Sequence, residues 1–121
     1  MKTAVDPHLV RATEAEFLGF PESMQKIELI DGDVVRSPAP TVDHQEILRR
    51  LLFEISAWAR GRAVFVGQSP CDVRFGPERI LQPDAFVILE RIPRSWKGPI
   101  TRVPELCIEV FSRDIAYDRM T

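Results

Sequence analysis

A chain of 121 residues and 13.8 kDa has room for one domain. With 45% hydrophobic and 28% charged residues it can build a modest packed core, and nothing in that balance points to a disordered tail. A net charge of −2 and a pI near 5.7 exclude the bulk basic field of a tight nucleic-acid binder, but not an enzyme that holds such a substrate weakly through a local patch.

The opening Met1-Lys2-Thr3-Ala4-Val5-Asp6-Pro7 has no apolar signal core, and no apolar run reaches membrane-spanning length, so a cytoplasmic location and no membrane partner are expected. The first element is a short helix: Thr13 with Glu16 three residues on matches a capping box, and Gly19-Phe20-Pro21 stops it. The β-rich runs on either side of Asp31-Gly32 predict a hairpin, and Ser37-Pro38-Ala39-Pro40 then breaks the strand pattern. The longest helix is expected from 43 to about 60, capped by Asp43 and ended by Gly61. Ile47, Leu48, Leu51, Leu52, Ile55 and Trp58 give it one apolar face, with His44 at the edge of that face.

Strands follow. Ala63-Val64-Phe65-Val66 is a short apolar run, Cys71-Asp72-Val73-Arg74-Phe75 alternates, and Gly76-Pro77 turns the chain. The stretch 80–89 reads as one buried strand entered through Pro83. A polar loop over 91–103 leads to a last strand, Leu106-Cys107-Ile108-Glu109-Val110-Phe111, and a helix begins near Asp114. Cys71 and Cys107 lack metal-ligand spacing and read as buried free thiols.

Two acids have apolar neighbours. Asp84 stands at the mouth of a Phe-Val-Ile-Leu run, and Glu109 interrupts Leu-Cys-Ile-Glu-Val-Phe, where an unpaired buried charge is costly. If their strands are neighbours, both carboxylates can converge at one sheet end, a donor set suited to Mg²⁺ with water ligands. Turn capping by Asp84 and an arginine partner for Glu109 would account for the same residues without a metal. Within that loop the Arg91–Lys97 group, Arg91, Arg94 and Lys97 with Trp96, could grip a backbone phosphate or stack on a base, or could simply be solvated.

Four segments in order carry a resemblance: Ile27-Glu28-Leu29-Ile30-Asp31-Gly32-Asp33, the helix opening with His44-Gln45, Gln82-Pro83-Asp84, and Pro104-Glu105-Leu106-Cys107-Ile108-Glu109-Val110-Phe111-Ser112. Together they are similar to the Uma-two family, a restriction endonuclease-like group of the PD-(D/E)XK nuclease superfamily. The resemblance implies an α/β fold with a central mixed sheet flanked by helices and an N-terminal β-hairpin. Over 1–121 it implies a single domain lacking its C-terminal helix and last strand. It also implies a metal-dependent endonuclease that hydrolyses phosphodiester bonds in nucleic acid, DNA in the first instance, with Mg²⁺ or Mn²⁺ as cofactor and a homodimer as assembly.

Carried over by motif, Asp84 and Glu109 hold the metal and are catalytic. Glu28 resembles a recurrent family acid that orients a metal-bound water, with an ordinary strand acid as the other reading. His44 and Gln82 are candidates for phosphate contact or for supporting the site from behind; each has an ordinary hydrogen-bonding role as its alternative. The superfamily's usual lysine stands two residues after the Glu, where this chain has Phe111. The resembling family takes its lysine from the next helix, after a stretch like Tyr117-Asp118-Arg119, so it is expected just past Thr121 and little activity is expected of the chain without it. A non-catalytic or truncated nuclease-fold module that binds nucleic acid or a protein partner is the rival reading.

Overall fold

A computed structural model describes residues 8–111. Helix α1 (Glu14–Leu18) starts on the expected capping box: the Thr13 side chain accepts from the Glu16 N–H, and the Glu16 carboxylate accepts from the Thr13 N–H. Five residues are too few to be stable alone. What holds the helix is Phe17, buried against Leu29 and Ile80; such burial is worth about 1.5–3 kcal/mol. Strands β1 (Ile27–Ile30) and β2 (Asp33–Arg36) form the predicted hairpin. Asp31 and Gly32 have φ of 52° and 87°, the two left-handed residues that a tight two-residue turn requires.

Helix α2 (Val42–Ala59) follows the predicted period, but its cap differs. Thr41 takes the position, its hydroxyl accepting from the His44 N–H at 3.1 Å, while Asp43 lies inside the first turn, where its charge complements the helix dipole. Gly61 follows the end of the helix with φ of 77°, as its spacing predicted. The apolar face is only partly covered among the described residues: Leu48 is buried, while Ile47 and Trp58 stay exposed.

The remaining strands are β3 (Phe65–Gln68), β4 (Val73–Gly76), β5 (Arg79–Leu81), β6 (Ala85–Ile88) and β7 (Leu106–Ile108). The protein has the α/β architecture expected, and within it the described strands divide into two sheets, ordered β2-β1-β5-β4 and β3-β6-β7, each with antiparallel ladders. A parallel contact occurs as an isolated bridge between Val73 and Ile100. The stretch read as one strand over 80–89 is two: β5 belongs to the first sheet and β6 to the second. Pro83 cannot donate a ladder hydrogen bond, and the chain changes sheets at Gln82-Pro83-Asp84.

The core lies on both sides of that crossing. Leu29, Ile80 and Phe17 pack on one side. On the other, Val73 from the first sheet meets Phe86 and Ile88 from the second, with Ile100 from the long loop closing over them. Cys71 is half-buried and Cys107 is exposed, so the expectation of two buried thiols applies in part to the first alone. The expected last helix, with Tyr117-Asp118-Arg119, lies outside the described residues.

Candidate functional site

The crossing at Gln82-Pro83-Asp84 builds the site. Strand β6 pairs with β7 so that Ala85 faces Ile108. Continuing that antiparallel register by one step sets Asp84 opposite Glu109, although the two are far apart in sequence. A hydrogen bond fixes the step: the Val110 N–H donates to Asp84 Oδ2 at 2.8 Å, holding the segment that carries Glu109 against the head of β6. Two like charges opposed across a ladder repel. Something must offset them.

Lys26 does so. It immediately precedes β1, and its carbonyl accepts from the Ser37 N–H, so the hairpin ladder extends to it. Its ammonium lies 2.7 Å from Glu109 Oε2 and 3.5 Å from Asp84 Oδ1. Both carboxylates therefore face one cationic group. His44, in the first turn of α2, brings Nε2 to 3.1 Å from Asp84 Oδ2, the oxygen that also takes the Val110 N–H. Asp84 thus divides its work: Oδ2 is held by the backbone and the imidazole, and Oδ1 faces Lys26.

Glu28 shares the Lys26 face of β1 by period-two alternation. Its Oε2 accepts from the Gln82 N–H at 2.8 Å, and the Gln82 side-chain amide donates to Asp72 Oδ1 at 2.9 Å. His44 Nδ1 and Gln82 Oε1 are buried without a hydrogen-bond partner. A cleft of about 790 Å³ opens beside this chain of contacts, lined by Gln82, Asp72, Phe17, Phe20 and Met24 among others.

The electrostatics follow from these contacts. Burial works to raise the Asp84 carboxyl, but the Val110 N–H, Lys26 and His44 outweigh it and hold the group below the ordinary aspartate value. Glu109 is pushed up, by partial burial first; the charges of Asp84 and Glu28 add to this, against the pull of Lys26. Burial works to lower Lys26, yet Glu109, Glu28 and Asp84 overcome it and raise the ammonium's pKa. Asp72 is raised by burial, which its bond from Gln82 only partly offsets.

The structure therefore brings Asp84, Glu109 and His44 into one cluster, with Glu28 and Gln82 linked to each other beside it. Among the described residues no group of three or more His, Cys, Asp or Glu is arranged to hold a metal ion. The donor set is two carboxylates on one cationic group. That set fits a small hard ion such as Mg²⁺, which commonly binds through one or two carboxylates and keeps several waters. Sequence reasoning missed Lys26. The signal was present: a lysine two residues before Glu28 in a strand-forming run must share its face. In the cationic loop, Trp96 Nε1 donates to the Pro99 carbonyl at 3.1 Å.

No helix of the described residues is long and apolar enough to cross a membrane. No curated protein matches the chain. Among solved structures, it is similar to the crystal structure of "a putative nuclease belonging to DUF820 from Anabaena variabilis ATCC 29413", with 26% identity and a TM-score of 0.70. The match covers 90% of this chain and 64% of that one, so the chain spans less than two thirds of its neighbour's length. The family model described as "Uma2: Putative restriction endonuclease" matches residues 14–121. The motifs, the two-sheet fold and this match agree: the chain belongs to the Uma2 family, the same Uma-two group that its segments resemble.

Proposed function

We propose that the protein is a metal-dependent nuclease that hydrolyses phosphodiester bonds in nucleic acid, DNA in the first instance, with Mg²⁺ or Mn²⁺ held between Asp84 and Glu109. The observation that carries this reading is the convergence of both carboxylates on one cationic group, at a point where the register sets them face to face. When bound, such an ion lowers the pKa of a coordinated water and offsets charge on the phosphate. The chain's own residues do the rest. Asp84 presents Oδ1 because Val110 and His44 fix Oδ2. Glu109 supplies the facing oxygen. Glu28, anchored by the Gln82 N–H, adds negative charge beside the cluster and in this reading would orient a water. His44 holds the orientation of Asp84, and Gln82 ties Glu28 to Asp72. By family resemblance we further propose a homodimer.

The full-length protein, carrying the helix lysine that the family resemblance implies, should nick supercoiled plasmid DNA in Mg²⁺ or Mn²⁺ and stop on adding a chelator. Asp84→Asn should lower the rate by at least about a hundredfold, the upper end of what losing even an outer partner of a metal ligand costs. Nicking that survives both the chelator and this substitution would rule the reading out. The rival, a nuclease-fold module that binds without turnover, is favoured by the absence of a three-residue ligand cluster among the described residues. Salt-dependent DNA binding with no cleavage at any metal concentration would support it.

A further inference from the structure

Lys26 is more than a neighbour of the site. It contacts both carboxylates assigned to the metal, and it reaches them from the other sheet. Its side chain is 19% exposed, and the Asp84 side chain it faces is 7% exposed, so their attraction is less screened than that of a surface pair. Without an interposed positive charge, Asp84 and Glu109 would repel across the β6–β7 ladder. The ammonium therefore offsets that repulsion, beside the Val110 N–H and the ladder that fix the register of the pair.

We propose that Lys26 is the internal counter-ion of the Asp84–Glu109 pair and competes with the divalent cation for it. This rests on the reading of Asp84 and Glu109 as metal ligands. The two states disfavour one another by electrostatics: a doubly charged ion between the carboxylates repels an ammonium at 2.7 Å from one of them. Binding must displace Lys26, and its flexible four-carbon stem allows the ammonium to withdraw without moving the strand. The withdrawn charge stays tethered beside the site, where an incoming phosphate brings negative charge. In the ion-free protein Lys26 preserves the convergence of the carboxylates; in the ion-bound protein it is free to meet the anion.

Mn²⁺ alone is the probe, titrated by calorimetry at fixed ionic strength. Lys26→Met should bind it with a dissociation constant about tenfold lower than the wild type, the factor given by about 1.4 kcal/mol of lost competition. Equal or weaker binding by a variant with a native circular dichroism spectrum and melt would overturn the proposal. A second measurement uses the unaltered protein, so it does not depend on the variant folding. Trace acetylation read by peptide mass spectrometry should increase at Lys26 under saturating Mn²⁺ and stay constant at Lys97, an exposed loop lysine that serves as the internal standard. Unchanged labelling of Lys26 at saturation also overturns it. The two layers separate cleanly. If Asp84→Asn binds Mn²⁺ as the wild type does, the metal site and the competition both fall; if Asp84→Asn loses Mn²⁺ while Lys26 responds to nothing, only the competition does.

Discussion

Individual side chains decide how closely the second sheet can pack. Gly67 on β3 faces Phe86 on β6, and the Phe86 ring occupies the space a side chain at 67 would need: a Cβ there would fall 2.1 Å from Cζ. Phe86 is fully buried and cannot swing aside into solvent. Gly67→Ala should therefore destabilise the protein by about 3 kcal/mol, the upper end of the usual cost of overpacking, as read from the urea midpoint at unchanged m. A loss under about 0.5 kcal/mol, the scale of an ordinary surface change, would mean that the ring is not held where it lies. The same closeness explains why the site was only partly legible. Asp84 and Glu109 could be picked out because an acid in an apolar run is locally conspicuous. Lys26 was marked only by sharing a strand face with Glu28, because its partners lie 58 and 83 residues away and no local pattern encodes them.

Elements were legible where their determinants are local. The Asp31-Gly32 turn and the Thr13–Glu16 box each lie within four residues, and both formed as read. The long helix was legible by period, but its start was misplaced by the choice between two good caps. Thr41 wins because its own backbone is extended, with φ of −78° and ψ of 166°, and its hydroxyl reaches the His44 N–H. Thr41→Ala should cost about 1 kcal/mol in chemical denaturation, and Asp43→Ala only a few tenths, since Asp43 acts through the dipole alone. The reverse order would return the cap to Asp43. The division of 80–89 was illegible for the opposite reason. Proline signals a weak point in a strand, but whether the chain continues in the same sheet or leaves it is decided by which strands stand alongside, β1 and β4 for β5, β3 and β7 for β6.

Across the whole molecule, ion pairs fasten one element to another. Glu14 on α1 accepts from Arg74 on β4 at 2.6 Å, clasping the first helix to the first sheet. That hydrogen bond is the largest cause holding the Glu14 carboxyl below its ordinary 4.5. A carboxyl lowered by folding binds fewer protons in the native state than in the unfolded one. Its contribution is complete above the ordinary value and fades as pH falls through the lower folded one. The melting temperature of the wild type should thus fall more steeply than that of Glu14→Gln as pH drops below the ordinary value of 4.5. Parallel pH profiles for the two proteins would show that the clasp contributes nothing.

The change of sheets at Gln82-Pro83-Asp84 has a mechanical corollary. Lys26 and Glu28 ride on one sheet, Asp84 and Glu109 beside the other, and the seam between them carries these ions at one place and the Val73–Phe86–Ile88 packing at another. Shear of one sheet against the other would stretch the Lys26–Glu109 contact and strain the shared Val73–Phe86–Ile88 packing together. The cluster is therefore a gauge of alignment between the two halves, since both sheets must hold their places for Lys26 to reach Asp84 and Glu109.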